Sequence, residues 1–373
     1  MLASSCISFI TDLLKSVKRL SLSPLMGSRF LNLLKILTED KFRPIIYLSL
    51  IPVVLIVFIL EILRLPIYVK NRIGIKQDVQ NSYVIFIIGF WRSGTTHLHN
   101  LLCQDSQVLF LNTYRSVFPD VILFDSCMKW IFSIIMPRKR FSDNMELNAD
   151  LPQEEEFAIL NRNGISFYRS FYLPTKMIQY FKRYILLENK KELTKWSSDY
   201  NTILGKLIKK DKIVILKNPC NTGRVNSLLK LYPSAKFIYI YRNPFEVLVS
   251  ARKMFLETTN RLCLEPVEED EIGISLIEIY GDIIDKYEED KRLIPKENLI
   301  EVKFEELEED PKRIIEKVYN QFQIPDARKT EVHNSNYIRR AYDYNKMKYS
   351  VKGEFAQLIR TRLDKYFSHY GYQ

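Results

Sequence analysis

Apolar positions fall into three patterns along this chain. Residues 1–43 mix apolar and basic side chains, with helical spacing in parts such as Ile7 to Leu20. Ile45 to Leu60 is then almost wholly apolar, broken only by Ser49 and Pro52, and apolar residues resume after Glu61 and Arg64 up to Val69. From residue 80 onward the runs become short: Val84–Ile88, Ile213–Leu216, Phe237–Ile240 and Leu299–Val302, with helical stretches between them. Apolar runs of this length read as strands, and helices between them predict a parallel sheet. The expected fold is therefore α/β, a parallel sheet flanked by helices over 80–373, preceded by an apolar helical segment over 1–75. In such sheets ligands sit beyond the carboxyl ends of the strands.

The apolar run at 45–60 is short of the roughly 20 residues that span a bilayer. Lys41 and Arg43 flank one end and Lys70 and Arg72 the other, so basic residues give no orientation. The run also lies too far from Met1 for a cleavable signal. Three readings stay open: a helix lying in the membrane interface, a span, or a buried helix of the domain. Pro52 favours a bent or re-entrant element over a straight span.

Charge sharpens this picture. The net charge is +11, and residues 1–80 hold eleven Lys/Arg against five Asp/Glu, which is +6 of that total. A basic excess beside the most apolar segment points to an anionic membrane surface. Nucleic acid is not the expected partner, because the 22 Tyr and 22 Phe are spread without an RNA-binding signature. Five widely spaced cysteines with no CxxC pair favour a reducing compartment, so the expected location is cytoplasmic and membrane-associated. No metal is expected: His97 and His99 are i, i+2 and would point apart on a helix.

Candidate chemistry centres on YVIFIIGFWRSGTTHLHNLL, Tyr83 to Leu102. Strand, Gly/Ser/Thr loop and helix follow one another, so backbone N–H groups would converge on an anion. Gly89 and Gly94 keep the separation of G-x-x-x-x-G-K-[ST], but Thr95 stands where the lysine belongs. Arg92 is the loop's cation. The loop suits a phosphate-like group and does not suit ATP with magnesium. A second motif is AKFIYIYRNPFEVLVSARKMF, Ala235 to Phe255. Arg242 ends the strand, Asn243 is placed as an N-cap, Pro244 as the first helical residue, and Glu246 completes a capping-box-like spacing. Ser250 follows two turns into the helix. Arg242 and Ser250 could grip a second phosphate, or mark only a well-capped helix with a surface arginine.

Taken together, the two motifs resemble the sulfotransferase superfamily, whose donor is 3′-phosphoadenosine 5′-phosphosulfate (PAPS). IVILKNPCNTGRV, Ile213 to Val225, and LIEVKFEELEEDP, Leu299 to Pro311, are similar to two further segments of that family. The resemblance covers roughly Val84 to Pro325 and is closest to the branch with a PQEEE-like segment. It implies a P-loop-like fold in which Phe90–Thr96, with Arg92, Ser93, Gly94, Thr95 and Thr96, cradles the 5′-phosphosulfate. It further implies that Arg242 and Ser250 hold the 3′-phosphate, that Phe304 stacks on adenine where the family usually has Tyr, and that Arg92 and Lys217 supply the cations at the reacting centre. Lys352 and Gly353 weakly match the family's basic-glycine loop.

An alcohol acceptor must lose a proton as it attacks sulfur, so a base must stand within hydrogen-bond reach. NADLPQEEEFAIL, Asn148 to Leu160, offers one. Asp150 can cap a helix, with Gln153 three residues on, which would put Glu154, Glu155 and Glu156 in its first two turns. Periodicity does not choose among them. The family pattern selects Glu154, with Glu155 second; His97 and His99 compete for the role. The acceptor expected from the aromatic content and the apolar N-terminus is a lipophilic hydroxyl, on a sterol, bile-acid-like molecule or lipid. Phe167 to Tyr180 and Val117 to Trp130 are candidate walls of its cleft. A carbohydrate or glycolipid hydroxyl is the alternative, and a P-loop kinase or NTPase is the alternative of another class.

Overall fold

The computed structural model describes residues 23–39, 44–71, 83–120, 125–139, 145–209, 212–265, 268–324 and 353–372. At its centre is a sheet of five parallel strands. These are β1 (Tyr83–Ile88), β2 (Val108–Leu109), β3 (Ile213–Lys217), β4 (Lys236–Tyr241) and β5 (Leu299–Lys303), in the order β2-β3-β1-β4-β5. The register pairs Ile87 of β1 with Lys217 of β3 and with Ile238 of β4. The carboxyl ends of the three central strands therefore deliver the loop after Ile88, Lys217 and Arg242 to one edge. Side chains alternate across the pleat: Val84, Phe86 and Ile88 enter one core, Ile85 and Ile87 the other. Helices cover both faces, as parallel strands require.

Among the described residues a 3-10 turn (Pro24–Gly27) and two α-helices precede the sheet, α1 (Phe30–Thr38) and α2 (Pro44–Asn71). Their described side chains share the main core: Leu33, Ile36, Leu50, Val53 and Val57 pack in the cluster that holds Phe86, Phe167 and Tyr239. Full burial of such a side chain stabilises by about 1.5–3 kcal/mol. Arg64, almost completely buried, donates to Ser28 O at 2.8 Å and Gly27 O at 2.7 Å. The segment expected over 1–75 is thus, over its described residues, built into the domain. Ile46–Arg64 is nonetheless long and apolar enough to cross a membrane. One stripe of α2, Leu50, Val53, Val57, Leu60 and Arg64, is buried against the protein, while Ile51, Leu55, Ile59 and Ile62 are exposed.

The longer helices among the remaining described residues are α3 (Thr95–Leu102), α4 (Thr113–Val117), α5 (Asp125–Ile135), α6 (Glu155–Asn163), α7 (Lys190–Gly205), α8 (Val225–Leu231), α9 (Pro244–Leu262), α10 (Glu269–Asp290), α11 (Phe304–Glu309), α12 (Pro311–Gln321) and α13 (Glu354–His369), with short helical turns over 167–185 and elsewhere. The candidates at 1–22, among them Ile7–Leu20, and Lys352 lie outside the described residues.

Candidate active site

The loop between β1 and α3 is shaped by three residues with positive φ: Gly89 at 146°, Arg92 at 70° and Gly94 at 103°. A Cβ on Gly89 would lie 2.3 Å from Ile240 O, and one on Gly94 would lie 2.3 Å from the Phe304 ring, so both glycines are required by space as well as by φ. Arg92 is a non-glycine residue in the left-handed region, a costly conformation of the kind found at functional sites. Thr222 pins the loop's entry: Gly89 N donates to its Oγ1 at 2.8 Å, and that hydroxyl donates to Gly89 O at 3.1 Å.

Ser93 Oγ is buried in this loop and has no hydrogen-bond partner among the described residues. A buried orphan hydroxyl costs about 1–3 kcal/mol, which an anion accepting a hydrogen bond from it would remove. The fit of a phosphosulfate group to this loop rests on that atom and on the glycine cradle around it.

The two sequence motifs meet directly, because Arg92 Nε donates to Ser250 Oγ at 2.9 Å across 158 residues of sequence. Arg242, largely buried, forms an ion pair with Glu246, and its guanidinium lies 4.4 Å from the centre of the Phe304 ring. Asn243 caps α9 by accepting from Phe245 N at 2.9 Å. Glu246, expected to complete a capping box, turns instead to Arg242.

The three glutamates have three separate fates. Glu154 is the N-cap of α6, and its carboxylate accepts from Lys217 Nζ through one oxygen and from the Tyr168 hydroxyl through the other. Its side chain keeps 12% of its surface, whereas Lys217 keeps 1%. Glu155 is fully buried and accepts from Tyr200 OH at 2.7 Å and Asn221 Nδ2 at 2.8 Å. Burial raises the pKa of its carboxyl, an effect only partly offset by those two donors. Glu156 is fully buried too; burial alone would raise it, but the Arg224 guanidinium holds it below the usual carboxylate range. That pair is bidentate, at 2.7 and 3.1 Å. Asp150, expected to cap this helix, lies four residues before the cap and pairs with Lys129.

Tyr168 links Glu154 to the loop. Its hydroxyl donates to Glu154 and accepts from Trp91 Nε1 at 3.2 Å. Burial and the adjacent Glu154 charge push the phenol well above its ordinary value, so it stays a donor. A continuous path thus runs from Trp91 in the loop through Tyr168 and Glu154 to Lys217. Tyr168 lies in the segment expected to wall an acceptor cleft; Phe167, Phe171, Tyr172 and Tyr180 of that segment are buried in the core, Phe167 against Trp91 of the loop. Neither Tyr168 nor Arg224 carries a motif of its own, because each acts through contacts far along the chain. Of the competing histidines, His99 is completely buried, edge-on to Phe110 at 6.4 Å. His97 is kept neutral by burial, which lowers it to about 4.

Residues 85–328 match the model of the Sulfotransferase family. The chain is 28% identical over 291 residues to omega-hydroxy-beta-dihydromenaquinone-9 sulfotransferase Stf3 of Mycobacterium bovis and of Mycobacterium tuberculosis, covering 77% of this chain and 75% of that protein. Its fold is similar to sulfotransferase STF9 from Mycobacterium avium, with a TM-score of 0.68, 17% identity, and 92% and 90% of the two chains covered. It is also similar to sulfotransferase STF1 from Mycobacterium tuberculosis H37Rv, with a TM-score of 0.64, 16% identity, and 94% and 93% covered. With the family model matching well over half of the sequence, and the motif residues of the loop, β3 and β4 brought to one edge of the sheet, the chain belongs to the sulfotransferase family and is a sulfotransferase.

Proposed function

We propose that this enzyme transfers a sulfuryl group from PAPS to the hydroxyl of a lipophilic acceptor, with Glu154 as base. The observation that carries this reading is the junction of Glu154, Lys217 and Tyr168 next to the glycine loop. PAPS, when bound, supplies the sulfuryl group and a phosphate leaving group, and needs no metal. Ser93, Gly94, Thr95 and Thr96 hold its 5′ end together with Arg92. Arg242 and Ser250 hold its 3′-phosphate, and Phe304 lies at its purine. Glu154 accepts the proton of the acceptor hydroxyl as the new O–S bond forms. Lys217 stands beside that carboxylate and stabilises the negative charge that grows on the departing oxygen. Tyr168 orients the carboxylate.

Glu154 suits the base better than Glu155. It keeps some exposure and faces the strand end, while Glu155 is enclosed by Tyr200 and Asn221. The lipophilic acceptor is supported by the exposed apolar face of α2 and by the menaquinone derivative in the relative's name. The same face supports work at a membrane surface, and the wide spacing of the cysteines, with no CxxC pair, supports its cytoplasmic side. The test is a mass-spectrometric screen with PAPS against sterols, quinols, lipid alcohols, sugars and phenols. The expected products are lipophilic alcohols heavier by one SO₃ group. Turnover of sugars alone would overturn the acceptor class, and no SO₃ transfer from PAPS to any of them would overturn the donor.

A further inference from the structure

Helix α5 is apolar but scarcely buried. Phe132 is its one buried side chain, whereas Trp130 is 66% exposed and Ile134 is 62% exposed, with Ile131 and Ile135 beside them. It does not stand alone. Phe132 packs in one cluster with Leu60 of α2, and Phe30 at the start of α1 meets Phe58 of α2 edge-on at 5.9 Å. Among the described residues fifteen large apolar side chains are exposed, and thirteen of them lie on α1, α2 and α5, all but Ile274 and Leu293. Three adjacent helices therefore present one apolar surface, far more than scattered exposure would give.

We propose that α1, the outer face of α2 and α5 form one membrane footprint. On it the protein lies with α2 along the bilayer surface and α5 dipping into the acyl layer. Two observations favour a bilayer over a second protein, and a third favours an interfacial helix over a spanning one. No charged residue interrupts Tyr47 to Leu60. Exposed basic residues border the surface, Lys35 on α1 and Arg138 and Lys139 just past α5, where anionic headgroups would meet them. The buried stripe of α2 also belongs to the enzyme's own core, since Val53 and Val57 pack there with no exposure. A helix crossing the bilayer would have to tear that stripe out. An interfacial helix keeps it and immerses only the opposite face. This inference rests on the membrane reading above and adds α5 and the orientation to it.

Trp130 reports on it directly. The other two tryptophans, Trp91 and Trp196, are buried. The full chain is mixed with phosphatidylcholine–phosphatidylglycerol vesicles, with or without brominated acyl chains, and followed by flotation and tryptophan emission. The expected result is flotation with a blue shift, and quenching by bromine that Trp130→Phe abolishes without loss of flotation. Trp130→Glu with Ile134→Glu lowers partitioning about a hundredfold, tenfold for each side chain, and leaves the thermal midpoint unchanged because both sites are exposed. Flotation without quenching, with the double variant floating normally, overturns the role of α5 and leaves the membrane reading standing. Failure of every form to float overturns both. So does a wild-type dimer in solution that the double variant converts to monomer, because a second copy then covers the surface.

Discussion

Replacing Arg224 by Met tests how α6, the helix with Glu154 at its N-cap and Glu155 and Glu156 in its first turn, is held. Arg224 binds both oxygens of Glu156, donates from Nε to Tyr184 O at 3.0 Å, and stacks 5.2 Å over Trp196. Methionine keeps much of the stem's packing and removes the charge, leaving the Glu156 carboxylate with Asn218 Nδ2 at 2.8 Å and Phe167 N at 3.1 Å. Breaking one side of a buried ion pair costs about 3–5 kcal/mol, against a total stability of about 5–15 kcal/mol for a folded domain. The pH dependence gives a sharper sign. With Arg224 present the folded pKa of Glu156 is lowered, so its contribution is full above the unfolded value of about 4.3 and is lost as pH falls through the folded value. Without Arg224 burial dominates and raises the folded pKa, so the variant loses stability, relative to wild type, as pH rises above about 4.3. Urea denaturation at several pH values measures both effects. Arg224→Met/Glu156→Gln is expected to recover about 2–3 kcal/mol of coupling and to flatten the difference. A single and a double variant of equal stability, or a wild-type pH slope in Arg224→Met, would refute the reasoning.

Four further outcomes are expected. Glu154→Gln retains adenosine 3′,5′-bisphosphate binding in calorimetry and loses at least about 10²-fold in turnover; full turnover would remove Glu154 as base. Arg242→Ala weakens that ligand by about 1.5–3 kcal/mol, while Glu246→Gln tightens it by up to about 1 kcal/mol by freeing Arg242 from a half-exposed ion pair; an unchanged affinity in both would clear Arg242 of the role. His97 has a folded pKa of about 4, below its ordinary 6.5, so it contributes stability in full above pH 6.5. That contribution, at most about 3 kcal/mol, is lost as pH falls toward 4, and His97→Gln should flatten this limb of the denaturation profile. Deleting residues 1–70 removes Leu33, Ile36, Leu50, Val53 and Val57 from the core; scanning calorimetry should show no cooperative transition.

The strands and the glycine loop were legible because each is local. The expected strands match β1, β3, β4 and β5 to within one residue at either end, and β2, with two residues, is too short to leave a pattern. The glycines at 89 and 94 announced the loop through φ demands that only their spacing encodes. Long-range pairing was not legible. Asp150 has the composition of a cap and went to Lys129, and Glu246 has capping-box spacing and went to Arg242, because a nearby cation outcompetes a backbone amide. The division of labour among Glu154, Glu155 and Glu156 is set by Lys217, Tyr200 and Arg224, each more than forty residues away. Periodicity carries no record of such partners. The one-sided burial of α2 was hidden for another reason: both its faces are apolar, so no polar stripe marks the side that meets the domain.

The bolts between the N-terminal helices and α6 set an order on synthesis. Asn32 Nδ2 donates to Leu160 O at 2.6 Å, and Arg29 N to Asn161 O at 2.8 Å. The first of these partners is 128 residues further along the chain. At about 5–20 residues per second, α1 waits roughly 6–25 s after it is made before α6 exists to receive it. Until the core closes over them, Val53 and Val57, later fully buried, are as bare as Leu55 and Ile59. The nascent enzyme must keep its stickiest helix from committing both faces to lipid or to a chaperone, and protease mapping of ribosome-stalled chains ending before and after residue 165 would show when the inner face is claimed.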